Sequence, residues 1–283
     1  MNNSKFSGWQ KVLLIIVPYL VMISVFQVVS SIFLGDQFSV IEESGSKLQK
    51  LGLHFFDGIA SFTVVWLFMK YIDKEKFINV GFQVKGRFKD FLWGLASGFL
   101  IMGMGFLTLW RVGEIQFLGF NFNVGDMLIL VATFSIVSVV EEVLFRGYIL
   151  RNLMQSFNKY AALLFSSAFF ALLHSSSPNA NVFSITSIFL AGTMLGLSYV
   201  YTQNLWFPIG LHLGWNLFQS YFGFNVSGKS HYSLFETGIE TPSFFNGGSF
   251  GFEATVLAIA AETLMIWLIW RYFSKSKKYS IDR

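Results

Sequence analysis

Residues 127–154, MLILVATFSIVSVVEEVLFRGYILRNLM, decide the reading of this chain. The run is apolar and long enough to cross a hydrocarbon core of ~30 Å at ~1.5 Å per helical residue. Yet it carries Glu141 and Glu142 in its middle and Arg146 one turn later. A charged residue at the centre of a spanning helix costs ~2.5 to 3.5 kcal/mol on insertion scales, so such a residue signals function and needs a partner. Working outward, comparable apolar runs recur at Val12–Leu34, Leu51–Tyr71, Phe91–Trp110, Met127–Met154, Tyr160–His174, Val182–Tyr201, Leu205–Phe222 and Phe252–Phe273. The composition agrees, with 54% hydrophobic and only 13% charged residues and a mean hydropathy of +0.56, outside the range of ordinary soluble domains. The expected fold is all-α, a polytopic integral membrane helix bundle of about eight transmembrane helices. No linker, repeat or low-complexity tract divides it, so residues 1–283 read as a single membrane domain whose motif-bearing core is 127–222.

Charge placement orients the bundle, because cytoplasmic loops collect lysine and arginine. Lys70, Lys74, Lys76, Lys85, Arg87 and Lys89 fall in one gap, and Arg271, Lys275, Lys277, Lys278 and Arg283 follow the last run. Both regions are expected in the cytoplasm, with both termini inside a cell membrane. The gaps Gly35–Lys50, Arg111–Asp126, Ser175–Asn181 and Gly223–Gly251 are then external. The first run follows Lys5 and Lys11 as a secretory signal would, but it exceeds a signal core of ~7 to 15 residues and lacks a small-x-small cleavage site, so it reads as a retained helix. With no cysteine, disulfides, thiolate metal sites and thiol catalysis are excluded. The net charge of +4 sits beside the membrane and gives no reason to expect nucleic acid. Around residues 77–88, apolar and basic residues mix, which suits either a segment lying on the membrane surface or a plain positive loop. Gly247, Gly248 and Gly251 suit an irregular entry to the last helix, with Glu253 favourable at its N-terminus.

In E-E-x-x-x-R, Glu142 and Arg146 are i and i+4 neighbours able to pair on one helix face, leaving Glu141 uncommitted about 100° around. As a bare motif this is equally a buried ion pair holding helices together. Phe170-Ala-Leu-Leu-His174 sets an aromatic ring beside an imidazole, and His212-Leu-Gly-Trp-Asn216 aligns an imidazole and a carboxamide one turn apart. Each alone is more simply an interhelical hydrogen-bonding group. Depth joins them. With a turn near Phe157 and Asn158, Glu141 and His174 lie ~25 Å from it along their helices, and His212 and Asn216 lie ~14 to 20 Å from a turn near Gln203. A carboxylate with an imidazole can take a proton from water, and a second imidazole with an amide can stabilise an oxyanion, which together make amide hydrolysis without a covalent intermediate. A polar cavity joining these residues is required, and access from the cytoplasmic turns is expected.

In order and in successive spans, E-E-x-x-x-R, F-x-x-x-H and H-x-x-x-N resemble the CPBP family, which includes type II CAAX prenyl endopeptidases and bacterial bacteriocin-processing or abortive-infection proteins. The resemblance covers about 127–222. It implies that Glu141 and His174 activate the water, that His212 and Asn216 form the oxyanion hole, and that Glu142 and Arg146 support them. The expected substrate is a membrane-associated peptide or precursor, and for a bacterial source a pheromone, bacteriocin leader or other short precursor is favoured over a prenylated chain; no cofactor is required. The residues leave other readings open. Zinc could take two histidines and a glutamate, although no H-E-x-x-H is present. A non-catalytic regulator or immunity scaffold could keep the polar cluster as interhelical glue. A transporter could use Asp57, Glu141 and Glu262, although no inverted repeat is evident. For Asp57 and Glu262, a carboxyl bonded to a neighbouring helix is the simpler account. Arg111, His54 and His231 read as interfacial or loop residues.

Overall fold

The computed structural model describes residues 5–275, so Lys277, Lys278 and Arg283 of the basic tail lie outside the described residues. The chain forms α1 (Gly8–Leu34), a short α2 (Phe38–Ser44), α3 (Lys47–Phe68) with a π-helical last turn (Met69–Asp73), and α4 (Phe88–Arg111). Strand β1 (Gln116–Phe120) precedes α5 (Val124–Glu142), which continues through a π-helical segment (Val143–Leu150) into α6 (Arg151–Leu153). There follow α7 (Lys159–His174), α8 (Val182–Thr202), α9 (Trp206–Tyr221), β2 (Phe235–Gly238) and α10 (Val256–Lys275). Each expected apolar run is a helix, and the 127–154 stretch is one continuous helical rod ending at Leu153.

The count of full spans changes. Among the described residues, six helices are long and apolar enough to cross a membrane, which makes this a multi-pass membrane protein. The other two, α7 and α9, have 16 residues each, about 24 Å of helix against a core of about 30 Å. These short helices carry His174, His212 and Asn216. A two-stranded antiparallel ribbon, with Gln116 opposite Gly238 and Phe120 opposite Phe235, is a small addition to the helical fold.

Alternating helix directions gather residues 74–87, 154–158 and 203–205 at one end of the bundle, the basic end. The longer connections meet at the far end, where Lys229 pairs with Glu42 at 2.7 Å and Lys47 with Asp126 at 2.7 Å. The segment after Lys76 proves to be neither a surface helix nor a free loop. Val80 is fully buried, and its carbonyl accepts from Tyr199 Oη at 2.9 Å. The Gly81 and Gln83 carbonyls accept from Leu205 N at 3.0 Å and Asn204 Nδ2 at 2.9 Å. Paired backbone makes burial of this irregular segment tolerable.

Lys11, expected as a flanking charge, is instead buried and donates to Asp73 Oδ1 at 2.8 Å and Gln155 Oε1 at 3.2 Å. It locks α1 to α3 and to the turn after α6. At the centre of the bundle, α4 and α9 meet through two glycine pairs at four-residue spacing, Gly94 with Gly98 and Gly210 with Gly214. A Cβ on Gly98 would stand 2.5 Å from the Gly214 carbonyl carbon, and one on Gly210 would stand 2.2 Å from the Phe91 carbonyl oxygen. Backbones in contact are the small-xxx-small solution to packing in lipid. His212 and Asn216 project from the opposite face of α9, so this seam sets their height and rotation.

Gly98→Leu should separate α4 from α9 and cost about 1 to 3 kcal/mol as overpacking, read as a lower unfolding temperature in detergent. Lys11→Met should cost about 3 to 5 kcal/mol by leaving Asp73 buried without its cation, while Lys11→Met with Asp73→Leu should recover most of that loss.

Candidate active site

The central rod starts where the Asn123 side chain accepts from Asp126 N at 3.1 Å, an N-cap that supplies one of the orphan amides. It is α-helical to Glu142 and widens over Val143–Leu150. Such widening is frequent at functional sites. Ser166 Oγ donates to the Phe145 carbonyl at 3.3 Å, which fastens α7 alongside. Asn158 caps α7 by accepting from Tyr160 N and Ala161 N, so the tight turn expected near Phe157 and Asn158 is present.

Arg146 Nη1 donates to Glu142 Oε1 at 2.7 Å, as the i, i+4 spacing implied. Two further contacts were not legible from that spacing. Arg146 Nη2 donates to the Gly192 carbonyl of α8 at 3.0 Å, and His212 Nδ1 of α9 donates to the same Glu142 Oε1 at 2.9 Å. The Arg146 guanidinium also lies 4.8 Å from the centroid of the Phe170 ring of α7. Glu142, Arg146 and His212 are all buried. A buried, charge-assisted network is strong in low dielectric only when its members are satisfied together.

The two motif histidines have assigned hydrogens because of what their Nδ1 atoms touch. His174 Nδ1 lies 2.8 Å from the Phe170 carbonyl, which can only accept, so Nδ1 carries hydrogen. In the neutral ring, Nε2 then carries the lone pair. His212 is oriented likewise by Glu142, and its Nε2 stands 3.8 Å from Glu141 Oε2. Glu141 keeps about a quarter of its side chain accessible, and its Oε2 has no hydrogen-bond donor. An unsatisfied carboxylate oxygen at this depth demands an explanation. Asn216 is buried one turn along from His212.

Glu141, His174, His212 and Asn216 line one cavity of about 230 Å³. Its apolar walls come from α5, α7, α8 and α9, including Phe134, Phe170, Met194 and Trp215. Its outer rim comes from Ser177, Ser227, Lys229 and His231. These belong to far-end loops, so access is from the far end and not from the turns at the basic end. The expectation failed because helix distance from a turn measures depth but not which end is plugged. At the basic end the Val80 segment is docked on α8 and α9, and none of its residues lines the cavity.

His54 and His231, expected as interfacial or loop residues, both reach the cavity, so all four histidines of the chain line it. Glu262 lines it too while accepting from Ser187 Oγ at 2.9 Å, the interhelical bond anticipated for it. Asp57 is not among the lining residues. Glu253 departs from its expected place at a helix start. Thr255 caps α10 by accepting from Ala258 N at 2.9 Å, whereas Glu253 Oε2 accepts from Ser227 N at 2.7 Å and Ser227 Oγ at 3.3 Å. Gly247, Gly248 and Gly251 all take positive φ and make the tight approach that delivers it. Burial holds Glu253 above the usual carboxylate range, against the Ser227 amide and the nearby His174. Burial, with His54 and Lys229 nearby, pushes His231 down to about 4.

Among the described residues, no three histidine, aspartate or glutamate side chains form a group that could hold a metal ion. Comparison with known proteins returns no matching curated protein and no matching solved structure. A family model described as Type II CAAX prenyl endopeptidase Rce1-like matches residues 123–218. That segment, about a third of this multi-pass membrane protein, holds Glu141, Glu142, Arg146, His174, His212 and Asn216, and it is over this segment that the chain is similar to the type II CAAX prenyl endopeptidases.

Proposed function

We propose that the chain is an intramembrane endopeptidase acting on a membrane-associated peptide or precursor protein. What carries this reading is the single cavity that joins an undonated carboxylate oxygen, a lone-pair imidazole, a second imidazole and a carboxamide. Water between Glu141 and His174 Nε2 loses a proton to this pair as its oxygen adds to the scissile carbonyl. The oxyanion takes hydrogen bonds from Asn216 Nδ2 and His212 Nε2. His212 Nδ1 already serves Glu142, so Nε2 donates only when the ring is imidazolium. Collapse of the tetrahedral adduct breaks the C–N bond, and the proton taken from water goes to the departing amine.

With the basic end in the cytoplasm of a cell membrane, the far-end cavity faces outward, and the substrate is one presented on that side or within the outer leaflet. This suits a secreted precursor such as a pheromone or bacteriocin leader better than a cytoplasmic prenylated chain.

Membranes carrying the wild-type chain should yield a peptide product that is missing with Glu141→Gln, whose rate should fall by about 10² to 10⁴. Peptide mapping of the two membranes makes the comparison. An unchanged phenotype for Glu141→Gln at normal abundance would instead establish a scaffolding role. Asn216→Ala should lose about 10² to 10³ in kcat through the missing oxyanion donor, measured on that product with KM largely retained.

A further inference from the structure

The ribbon of β1 and β2 lies at the far end, between α4 and α5 in the chain, and none of its residues is among those lining the cavity. Its two strands differ in character. β1 carries no charge, and its Leu118 and Phe120 expose 62% and 67% of their surface. Phe122, in the link to α5, exposes 73%. β2 instead carries exposed Glu236, with exposed Glu240 just beyond it. Scattered apolar side chains are ordinary on a protein surface, but a contiguous apolar patch marks a face that something covers.

The ribbon is clamped in place. Phe235 packs on Phe106 of α4 with ring centroids 5.3 Å apart, and on Phe222, directly after α9, at 5.2 Å. Thr237 Oγ1 donates to the Gly223 carbonyl at 2.9 Å. Tyr232 holds the link to α5, its hydroxyl donating to the Asn121 carbonyl and accepting from Asn123 N at 3.0 Å. A bulge between Phe117 and Gly119 leaves Leu118 unpaired and turns it over Gly238, where a Cβ would stand 3.4 Å from Leu118 Cδ1. Phe117 and Phe120 both stay against the Phe235 ring. Bulges re-aim side chains in this way, so the exposed face of β1 is a fixed feature of the fold.

What covers this face follows from the surface it continues. α4 ends in exposed Trp110 and Arg111, residues suited to the boundary between membrane and water. Only residues 112–115 separate them from β1. Leu107 on α4, and Val124 and Leu128 on α5, are exposed on helices that cross the membrane, and the apolar surface passes from these helix ends onto β1. Among the described residues, the outer edge of β1 pairs with no further strand. Such an edge cannot enter the hydrocarbon core, where its amides and carbonyls would go unmet. At the level of the headgroups the backbone stays hydrated while the side chains reach the acyl chains.

We infer that β1 is a lipid-binding edge, whose Leu118 and Phe120, with Phe122, insert into the leaflet at the far end and take phospholipid acyl chains as their partner, while Glu236 and Glu240 stay on the water side. Removing apolar surface from water at ~25 cal/mol per Å² favours this position. Through Phe235 and Thr237 the contact bears on the end of α9, the helix that holds His212 and Asn216. The inference does not depend on the peptidase reading.

The chain has no cysteine, so a single introduced cysteine takes a nitroxide label at one place only. Leu118→Cys, Phe120→Cys, Glu236→Cys and, as a membrane reference, Leu128→Cys are labelled in the full chain and reconstituted in phosphatidylcholine vesicles. Power saturation then compares collision with oxygen and with a water-soluble nickel chelate. Labels at positions 118 and 120 should favour oxygen over nickel severalfold, as at 128, with the order reversed at 236. Labels at 118 and 120 as open to nickel as the one at 236 would overturn the inference. Spin–spin broadening at 118 or 120 that vanishes on dilution with unlabelled chain would also overturn it, since a second copy would then hold the edge. Phe122→Cys, outside the strand, gives the same comparison if a cysteine within β1 lowers the unfolding temperature.

Discussion

The site depends on one oxygen atom. Glu142 Oε1 receives both Arg146 and His212, and Arg146 reaches on to the Gly192 carbonyl. The central rod, α8 and α9 are therefore joined through a carboxylate with essentially no solvent exposure. Removing one member of such a buried set typically costs about 3 to 5 kcal/mol, a large part of the about 5 to 15 kcal/mol that holds a typical domain folded. The same bond determines which nitrogen of His212 faces Glu141. Structure and chemistry thus share a hydrogen bond, and losing it disturbs the imidazole's height, rotation and protonation together.

Around that oxygen the packing divides into two regimes. Toward the basic end, irregular backbone is tucked in through the Val80, Gly81 and Gln83 carbonyls, with Lys11 and Asp73 buried beside it. Toward the far end the polar groups line open space, and the loops near Ser177, Ser227 and His231 form the rim. Burying unpaired polar groups costs free energy, and at the closed end the Val80, Gly81 and Gln83 carbonyls have protein partners, whereas the far-end groups line the cavity. The glycine seam between α4 and α9 couples the regimes, since it sets α9 at a fixed depth before any side chain makes a contact.

Much of this was legible in the residues. Helix positions followed from apolar runs because each run is bounded by polar turns, and the Glu142–Arg146 pair followed from i, i+4 spacing on one helix. What escaped depended on side chains meeting across distant segments. The Glu142–His212 bond joins residues 70 apart, and no local period encodes it. Lys11 looked like a flanking charge because its partner, Asp73, lies on another helix. His54 and His231 looked peripheral because loop residues carry no depth in a linear pattern. The glycine pairs at 94 and 98 and at 210 and 214 were the readable signal that went unused, since their matched spacing marks a close helix crossing.

The brevity of α7, whose Leu164, Phe165, Leu172 and Leu173 are exposed, has a consequence for the surrounding lipid. Helices shorter than the hydrocarbon layer make the bilayer thin around them, at a cost that grows with each ångström of mismatch. The wall holding His174 is therefore tied to acyl-chain length: thin bilayers suit it as it stands, and thick ones strain it. Local deformation also lowers the water boundary toward Glu141, so membrane composition becomes a regulator of hydration in the cavity.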